Sequence, residues 1–264
     1  MSEPLAVRPA ATVMMVRDAP EGFEVLMLRR NLKSDFVGGA FVFPGGGVDA
    51  ADATSTAEHQ VEGLTDAEAS TRLGLDSGGL AYYVACLREL FEEAGLLVAR
   101  DQHDALVRFD EEVLTARFAL HRRAINAGEV RFLDVVREEK LRLDLRALEY
   151  VAHWVTPVGP PRRYDTRFFV ALAPEAQRAA HDAHETVADT WIRPSDALER
   201  HRRGEFDLIF PTIRNLEAIA ALESAPDVMA YARAQRTIPR IEPRIVQRDG
   251  EIAILLPGEP GFDE

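Results

Sequence analysis

The sequence predicts an α/β layered fold, on three observations. β-rich apolar runs alternate with helical segments, Gly and Pro punctuate most junctions, and no internal repeat or long linker divides the chain. Residues 1–264 therefore read as one domain, and a chain 47% hydrophobic is long enough to bury a sizeable core.

Ala10 to Val16, after Pro9, and Phe23 to Leu28 are two β-rich runs. The turn chemistry of Asp18-Ala-Pro-Glu-Gly22 between them predicts a hairpin. Ala40 to Phe43 reads as a third strand, stopped by Pro44-Gly-Gly-Gly47. Thr65 followed by Glu68 fits a capping box and predicts a short helix over 66–73, ended by Gly74. Leu80 to Ala94 reads as a helix capped by Gly95, and Leu96 to Ala99 as a return to strand. Residues 105–140 read as helical. His153 to Thr156 and Arg167 to Leu172 read as strands, and Trp191 opens another segment. Pro194 and Pro211 stand where helices begin, the second running through Leu222. Ile252 to Leu256 is a last short strand.

Composition narrows the function. The net charge is −13, from 31 basic and 44 acidic residues, so a nucleic acid backbone is repelled at long range and is not expected as a partner. A small anionic substrate stays compatible, because a local cation reverses the field. Cys86 is the lone cysteine, which rules out an intramolecular disulfide and argues against a cysteine zinc site; it fits a reducing, cytoplasmic setting. No apolar run approaches a membrane span, and Met-Ser-Glu-Pro does not open a signal peptide.

The informative stretch is Arg88-Glu89-Leu90-Phe91-Glu92-Glu93-Ala94-Gly95-Leu96. On a helix, spacings of three and four put Glu89, Glu92 and Glu93 on one face, while Leu87, Leu90 and Ala94 turn to the core. Like charges at this spacing repel, and Glu92 and Glu93 also sit where the helix dipole disfavours negative charge. Arg88 offsets part of this, and a cation completing the site would offset the rest; carboxylate oxygens are the ligands Mg²⁺ and Mn²⁺ prefer. Taken alone, an acidic helix face is more often simply solvated.

The loop Phe43-Pro44-Gly45-Gly46-Gly47 adds a segment whose backbone can approach a ligand closely. Together the two pieces resemble the signature of the Nudix hydrolases: Gly, five residues, Glu, seven residues, then Arg-Glu-apolar-x-Glu-Glu-x-Gly-apolar. Gly46 matches the first glycine, Asp52 stands in place of the first glutamate, and Arg88 through Leu96 match the second half. The departure is spacing. Residues 53–87, 35 in number, replace the usual seven, an insertion of 28. This resembles the long subgroup that includes the animal peroxisomal coenzyme A diphosphatase, whose box is split at the same place. The segments Trp154-x-Thr156-Pro157, Pro161-Arg162-Arg163-Tyr164-Asp165-Thr166-Arg167-Phe168-Phe169 and Trp191-x-x-Pro194 resemble it too.

The resemblance implies an α/β/α sandwich with a mixed sheet, a helical insertion within the box at about 53–80, extra C-terminal helices, and a C-terminal extension at about 223–264. It implies divalent-metal-dependent hydrolysis of a diphosphate linkage in a nucleoside diphosphate derivative. Glu89, Glu92 and Glu93 would bind Mg²⁺ or Mn²⁺, and Arg88 would orient Glu89 by a charge-assisted hydrogen bond. A carbonyl of Gly45 or Gly46 would add a contact. Glu185, six residues before Trp191, is the candidate base or extra ligand. His181-x-x-His184 is set aside as a metal site, since such metals favour oxygen. Arg162 and Arg163 are candidate phosphate contacts, with a solvated loop pair as the plain alternative.

Leu26-Met-Leu-Arg-Arg30, then Gly39-x-x-x-Phe43-Pro-Gly-Gly46, partly resembles a coenzyme A motif, with Arg30 as a substrate contact; Asn31 and Asp35 depart from it. Coenzyme A or acyl-coenzyme A, giving 3′,5′-ADP and (acyl)phosphopantetheine, is the leading substrate class. Nucleotide sugars, dinucleotides and modified nucleoside triphosphates are the alternatives. A non-catalytic nucleotide-binding module is the alternative of another class, disfavoured because all three box glutamates are present. A homodimer is compatible, with the C-terminal tail available to serve it.

Overall fold

The computed structural model describes residues 6–32, 38–53, 57–182, 185–248 and 251–262. In chain order the elements begin with β1 Val7–Ala19, β2 Gly22–Arg30, β3 Phe41–Val42 and β4 Gly45–Gly47. The insertion contributes β5 Val61–Glu62 and α1 Asp66–Leu73, and the box helix α2 is Gly79–Ala94. Next come β6 Ala99–Arg100, α3 Glu112–Asn126, α4 Phe132–Glu138, β7 Arg142–Asp144, β8 Glu149–Val155, β9 Arg163–Leu172 and β10 Thr186–Ile192. The chain ends with α5 Pro194–Arg202, α6 Phe210–Ile219, α7 Ala225–Ala234, β11 Arg240–Ile241, β12 Arg244–Arg248 and β13 Glu251–Leu255.

The main sheet runs β10-β2-β1-β9-β8-β11, with β3 beside β2 and β4 beside β1. It is mixed: β1 pairs with β9 in parallel over ten residue pairs, while β1 with β2 and β8 with β9 are antiparallel. β1 is buried on both faces, which is why Ala10 to Val16 reads as a continuous apolar run. Ala11, Val13 and Met15 pack with Leu87, Leu90 and Phe91 of α2. Met14 and Val16 face the other way, onto Leu216 and Ile219 of α6 and Val228 of α7. The α/β/α layering follows. Among the described residues no helix is long and apolar enough to cross a membrane.

The hairpin, the helix over 66–73 with its Thr65–Glu68 capping box, and the box helix ending at a left-handed Gly95 stand as expected. The third strand stops before Pro44 as expected, and Gly45–Gly47 resume the sheet on another partner, pairing with Thr12, Ala11 and Ala10 as β4. Four expectations need correction. Leu96–Val98 is not a strand, because Gln177 supplies the pairing: Leu97 N–H donates to its Oε1 and the Leu97 carbonyl accepts from its Nε2. The helical region begins only at Glu112, since Val107 N–H bonds to the Ala99 carbonyl in extended chain. Trp191 lies near the end of β10 rather than at its start, and the last helix expected to reach Leu222 stops at Ile219.

The insertion braces the box helix. α2 starts from Gly78, which has no side chain to cap it. Asp66 of α1 does that work instead, accepting from Gly78 N–H at 3.0 Å and Leu80 N–H at 2.9 Å. β5 also pairs in parallel with β7, and Arg167 donates to the Leu73 carbonyl at the end of α1.

Candidate active site

The site forms where α2 passes β4. Arg88 is its hub. Its Nε donates to Asp52 Oδ1 at 2.9 Å, Nη2 to Asp52 Oδ2 at 3.1 Å and to the Gly47 carbonyl at 2.8 Å. Nη1 donates to Glu89 at 2.8 Å and Glu92 at 3.0 Å, and Asp49 stands 3.7 Å away. Burial alone would depress this guanidinium, but Asp52, Glu89 and Glu92 hold it above its ordinary value. The 35 intervening residues therefore leave the two halves of the box joined by a buried ion pair.

One guanidinium does not neutralise this cluster. Burial pushes Glu89 up to about 7 against the pull of Arg88, with Glu92 and Glu185 adding like charge. Burial raises Glu92 as well, and pushes Glu93 well above the carboxylate range with Glu89 and Glu185 adding to it. A carboxylate set this desolvated and this short of positive charge fits a hard divalent cation in its donor chemistry. Its side-chain geometry is not that of a closed metal site: among the described residues no three His, Cys, Asp or Glu side chains converge as ligands. Arg88 holds Glu89 and Glu92, while Gly45 N–H holds Glu93 Oε2 at 2.9 Å.

The glycines are set by these contacts. A Cβ on Gly46 would overlap the Glu89 carboxylate, and one on Gly45 would overlap Thr12 and the Ala11 carbonyl. At its C-terminal end α2 is held by α3, with Arg122 Nε at 2.8 Å and Asn126 Nδ2 at 3.2 Å from the Glu92 carbonyl. These two residues carry no motif; a cation at a helix C-terminus is the only sequence signal they offer.

Beside the carboxylates opens a cavity of about 860 Å³, at the large end for a small-molecule site. Gly45, Gly46, Glu89, Glu92 and Glu93 line it, and Arg30, Arg162 and Glu185 join them. Arg163 does not: it is buried, donating to the Thr156 and Pro157 carbonyls and paired with Glu242 of the tail. It is neither at the cavity nor in a solvated pair with Arg162. His181 pairs with Asp189 at 2.7 Å; His184 and Asp35 lie outside the described residues. Cys86 is fully buried and its thiol is pushed up by burial, so it packs. Trp154, Phe210, Pro243 and Ile254 also line it, and the last three come from segments the motifs did not mark as part of a site.

Comparison with known proteins agrees with this geometry. The family model described as the NUDT19 Nudix domain matches residues 58–219, more than half of the chain. The acyl-coenzyme A diphosphatase NUDT19 of Gallus gallus is 28% identical over 97% of this chain and 80% of its own length. The Homo sapiens protein of the same name is 28% identical, over 96% and 76%. A crystal structure of a Nudix hydrolase from Alicyclobacillus acidocaldarius superposes with a TM-score of 0.67 at 29% identity, covering 85% of this chain and 96% of that one. With the split box reassembled around Arg88 and more than half of the chain matched, this protein belongs to the NUDT19 Nudix family and is a Nudix hydrolase.

Proposed function

We propose that this enzyme hydrolyses the diphosphate linkage of coenzyme A or acyl-coenzyme A, giving 3′,5′-ADP and (acyl)phosphopantetheine. The observation that carries the reading is a buried, under-neutralised carboxylate cluster opening onto a cavity far larger than a diphosphate needs. The names of the two relatives support the substrate class. Glu89, Glu92 and Glu93 would hold Mg²⁺ or Mn²⁺. The bound cation would neutralise the diphosphate oxygens and lower the pKa of a water. Arg88 fixes Glu89 and Glu92 in place, a task its five hydrogen bonds fit. Glu185, exposed at the cavity wall, accepts the proton as water attacks one phosphorus and the bridging P–O bond breaks. Arg30 and Arg162 grip phosphate oxygens.

We place the enzyme in the cytoplasm, which a lone buried cysteine fits, and assign it a homodimer built through the tail. Chain 1–264 acts as one Nudix domain.

The test is incubation with coenzyme A, acetyl-coenzyme A, ADP-ribose, NADH, dinucleoside polyphosphates and dGTP, with Mg²⁺ or Mn²⁺, with products identified by mass. Release of 3′,5′-ADP and phosphopantetheine, lost in Glu92→Gln, is expected. Cleavage of another compound alone removes the coenzyme A assignment, and tight binding without cleavage removes catalysis.

A further inference from the structure

We infer that Asp182 is a positioning residue for the hydrolysis: its carboxylate ties the backbone of Glu185 and Thr186 so that the Glu185 side chain is presented to the box carboxylates. This rests on the reading of Glu185 as the base.

Two acids of one loop line the cavity, Asp182 and Glu185, and they are engaged differently. Asp182 is half-buried, and both of its oxygens accept from its own loop. Oδ2 accepts from Glu185 N–H at 3.0 Å; Oδ1 accepts from Thr186 N–H and from the Thr186 hydroxyl, each at 2.8 Å. Thr186 is itself buried, so the turn is fixed to the body of the protein. Glu185 is exposed, and among the described residues no donor holds its carboxylate. Its charge falls on the box instead: burial raises Glu89 and Glu93, and Glu185 adds to the rise in both. Asp182 holds the loop, and Glu185 is the group turned to the chemistry.

The loop is moored on either side of this turn. Before it, Ala180 N–H donates at 2.9 Å to the carbonyl of Ala94, the last residue of α2. After it, Asn31 N–H donates at 2.9 Å to the Glu185 carbonyl, and Thr186 pairs with Arg30, the arginine at the cavity. Val187 is bulged between the Thr186–Arg30 and Ala188–Arg29 pairs, and such a bulge re-aims the strand end that carries Glu185. The mooring thus spans the box helix and the Arg30 strand, while Asp182 is the side chain that acts on the Glu185 peptide itself. Without its charge, the N–H groups of Glu185 and Thr186 turn to water and the Glu185 side chain samples several directions. An Asn there has a single acceptor oxygen, so in either orientation its NH₂ group faces an N–H donor.

The experiment compares wild type, Asp182→Asn, Glu185→Gln and the double variant. It measures kcat and KM on the panel compound cleaved fastest with Mn²⁺, and the Mn²⁺ Kd by the electron paramagnetic resonance of free Mn²⁺. Since a misplacement of about 1 Å can cost on the order of 100-fold, D182N should lower kcat by about 10–100-fold with KM and the Mn²⁺ Kd within about twofold of wild type. In the E185Q background the same change should alter kcat by less than about twofold, because residues acting as a unit are not additive. If D182N does not fold, Thr186→Val, which removes one donor of the turn, carries the same test: kcat should fall by a few-fold, and again not in the E185Q background. Wild-type kcat in D182N beside a slow E185Q overturns the positioning role alone. An equal loss in the E185Q background also overturns it, by giving Asp182 a part of its own, and so does a Mn²⁺ Kd raised tenfold, which would put Asp182 among the metal's ligands. Wild-type turnover in E185Q overturns the base reading, and this inference with it.

Discussion

Asp52→Asn tests whether the insertion leaves the two halves of the box structurally joined. Asp52 is 2% exposed, and both of its oxygens accept: Oδ1 from Arg88 Nε, Oδ2 from Arg88 Nη2 and from Asp49 N–H at 2.8 Å. An Asn amide has one acceptor oxygen, so in either orientation its NH₂ group meets a donor. The charge that balances a buried guanidinium is lost with it. Breaking a buried pair by removing one partner costs about 3–5 kcal/mol. Arg88 keeps Glu89, Glu92 and the Gly47 carbonyl, so the low end, about 3 kcal/mol, applies. In a chain of this size each kcal/mol moves Tm by roughly 2–4 °C, which gives a drop of about 6–12 °C. Calorimetry with metal chelated isolates this from any ligand effect. A D52N protein melting within 2 °C of wild type would refute the idea that this ion pair joins the halves.

Four further outcomes are expected. Gly46→Ala should fold with a stability change under about 1 kcal/mol, because the added methyl displaces only the end of Glu89, yet turnover should fall at least tenfold; steady-state kinetics beside a melting curve checks both. Mn²⁺ at about 100 times its Kd should stabilise the wild type by about 2.7 kcal/mol, a rise of roughly 5–11 °C reversed by EDTA, and Glu93→Gln should abolish most of that rise. Glu185→Gln should lower kcat by a hundredfold or more with KM little changed, and unaltered turnover would strip it of the role of base. Asp66→Ala, which removes the cap on α2 from outside the cavity, should cost about 1–2 kcal/mol by denaturant titration while the surviving folded enzyme keeps its KM.

Legibility in the sequence followed locality. The box helix could be read because its acidic face, its apolar face and its glycine stop lie within sixteen residues. The α1 capping box was equally local. The Arg88–Asp52 pair spans 36 positions and was reachable only through the family signature. What the sequence hid was supplied from a distance. Asp66 caps a helix that starts thirteen residues later, Gln177 stands in as the pairing partner of Leu97 across 80 residues, and Arg122 holds the C-terminal end of α2 from the next helix. None of these has a periodicity of its own. Arg163 shows the same limit from the other side: beside Arg162 in sequence, it is turned into the protein by strand alternation and bound to the tail.

The bed beneath the cavity is built from residues with almost no side chain: Gly45, Gly46, Gly47 and Ala10. Its information lies in atoms that are missing. Alanine scanning, which works by trimming, would be nearly blind here, because Ala10 is already the scanning residue and the glycines can only grow. An enlargement scan, Ala10→Val and then Ala10→Leu, would map the bed as lost volume. Drift that merely adds a methyl at Gly45 or Gly46 would silence the enzyme while leaving every acidic residue of its signature intact.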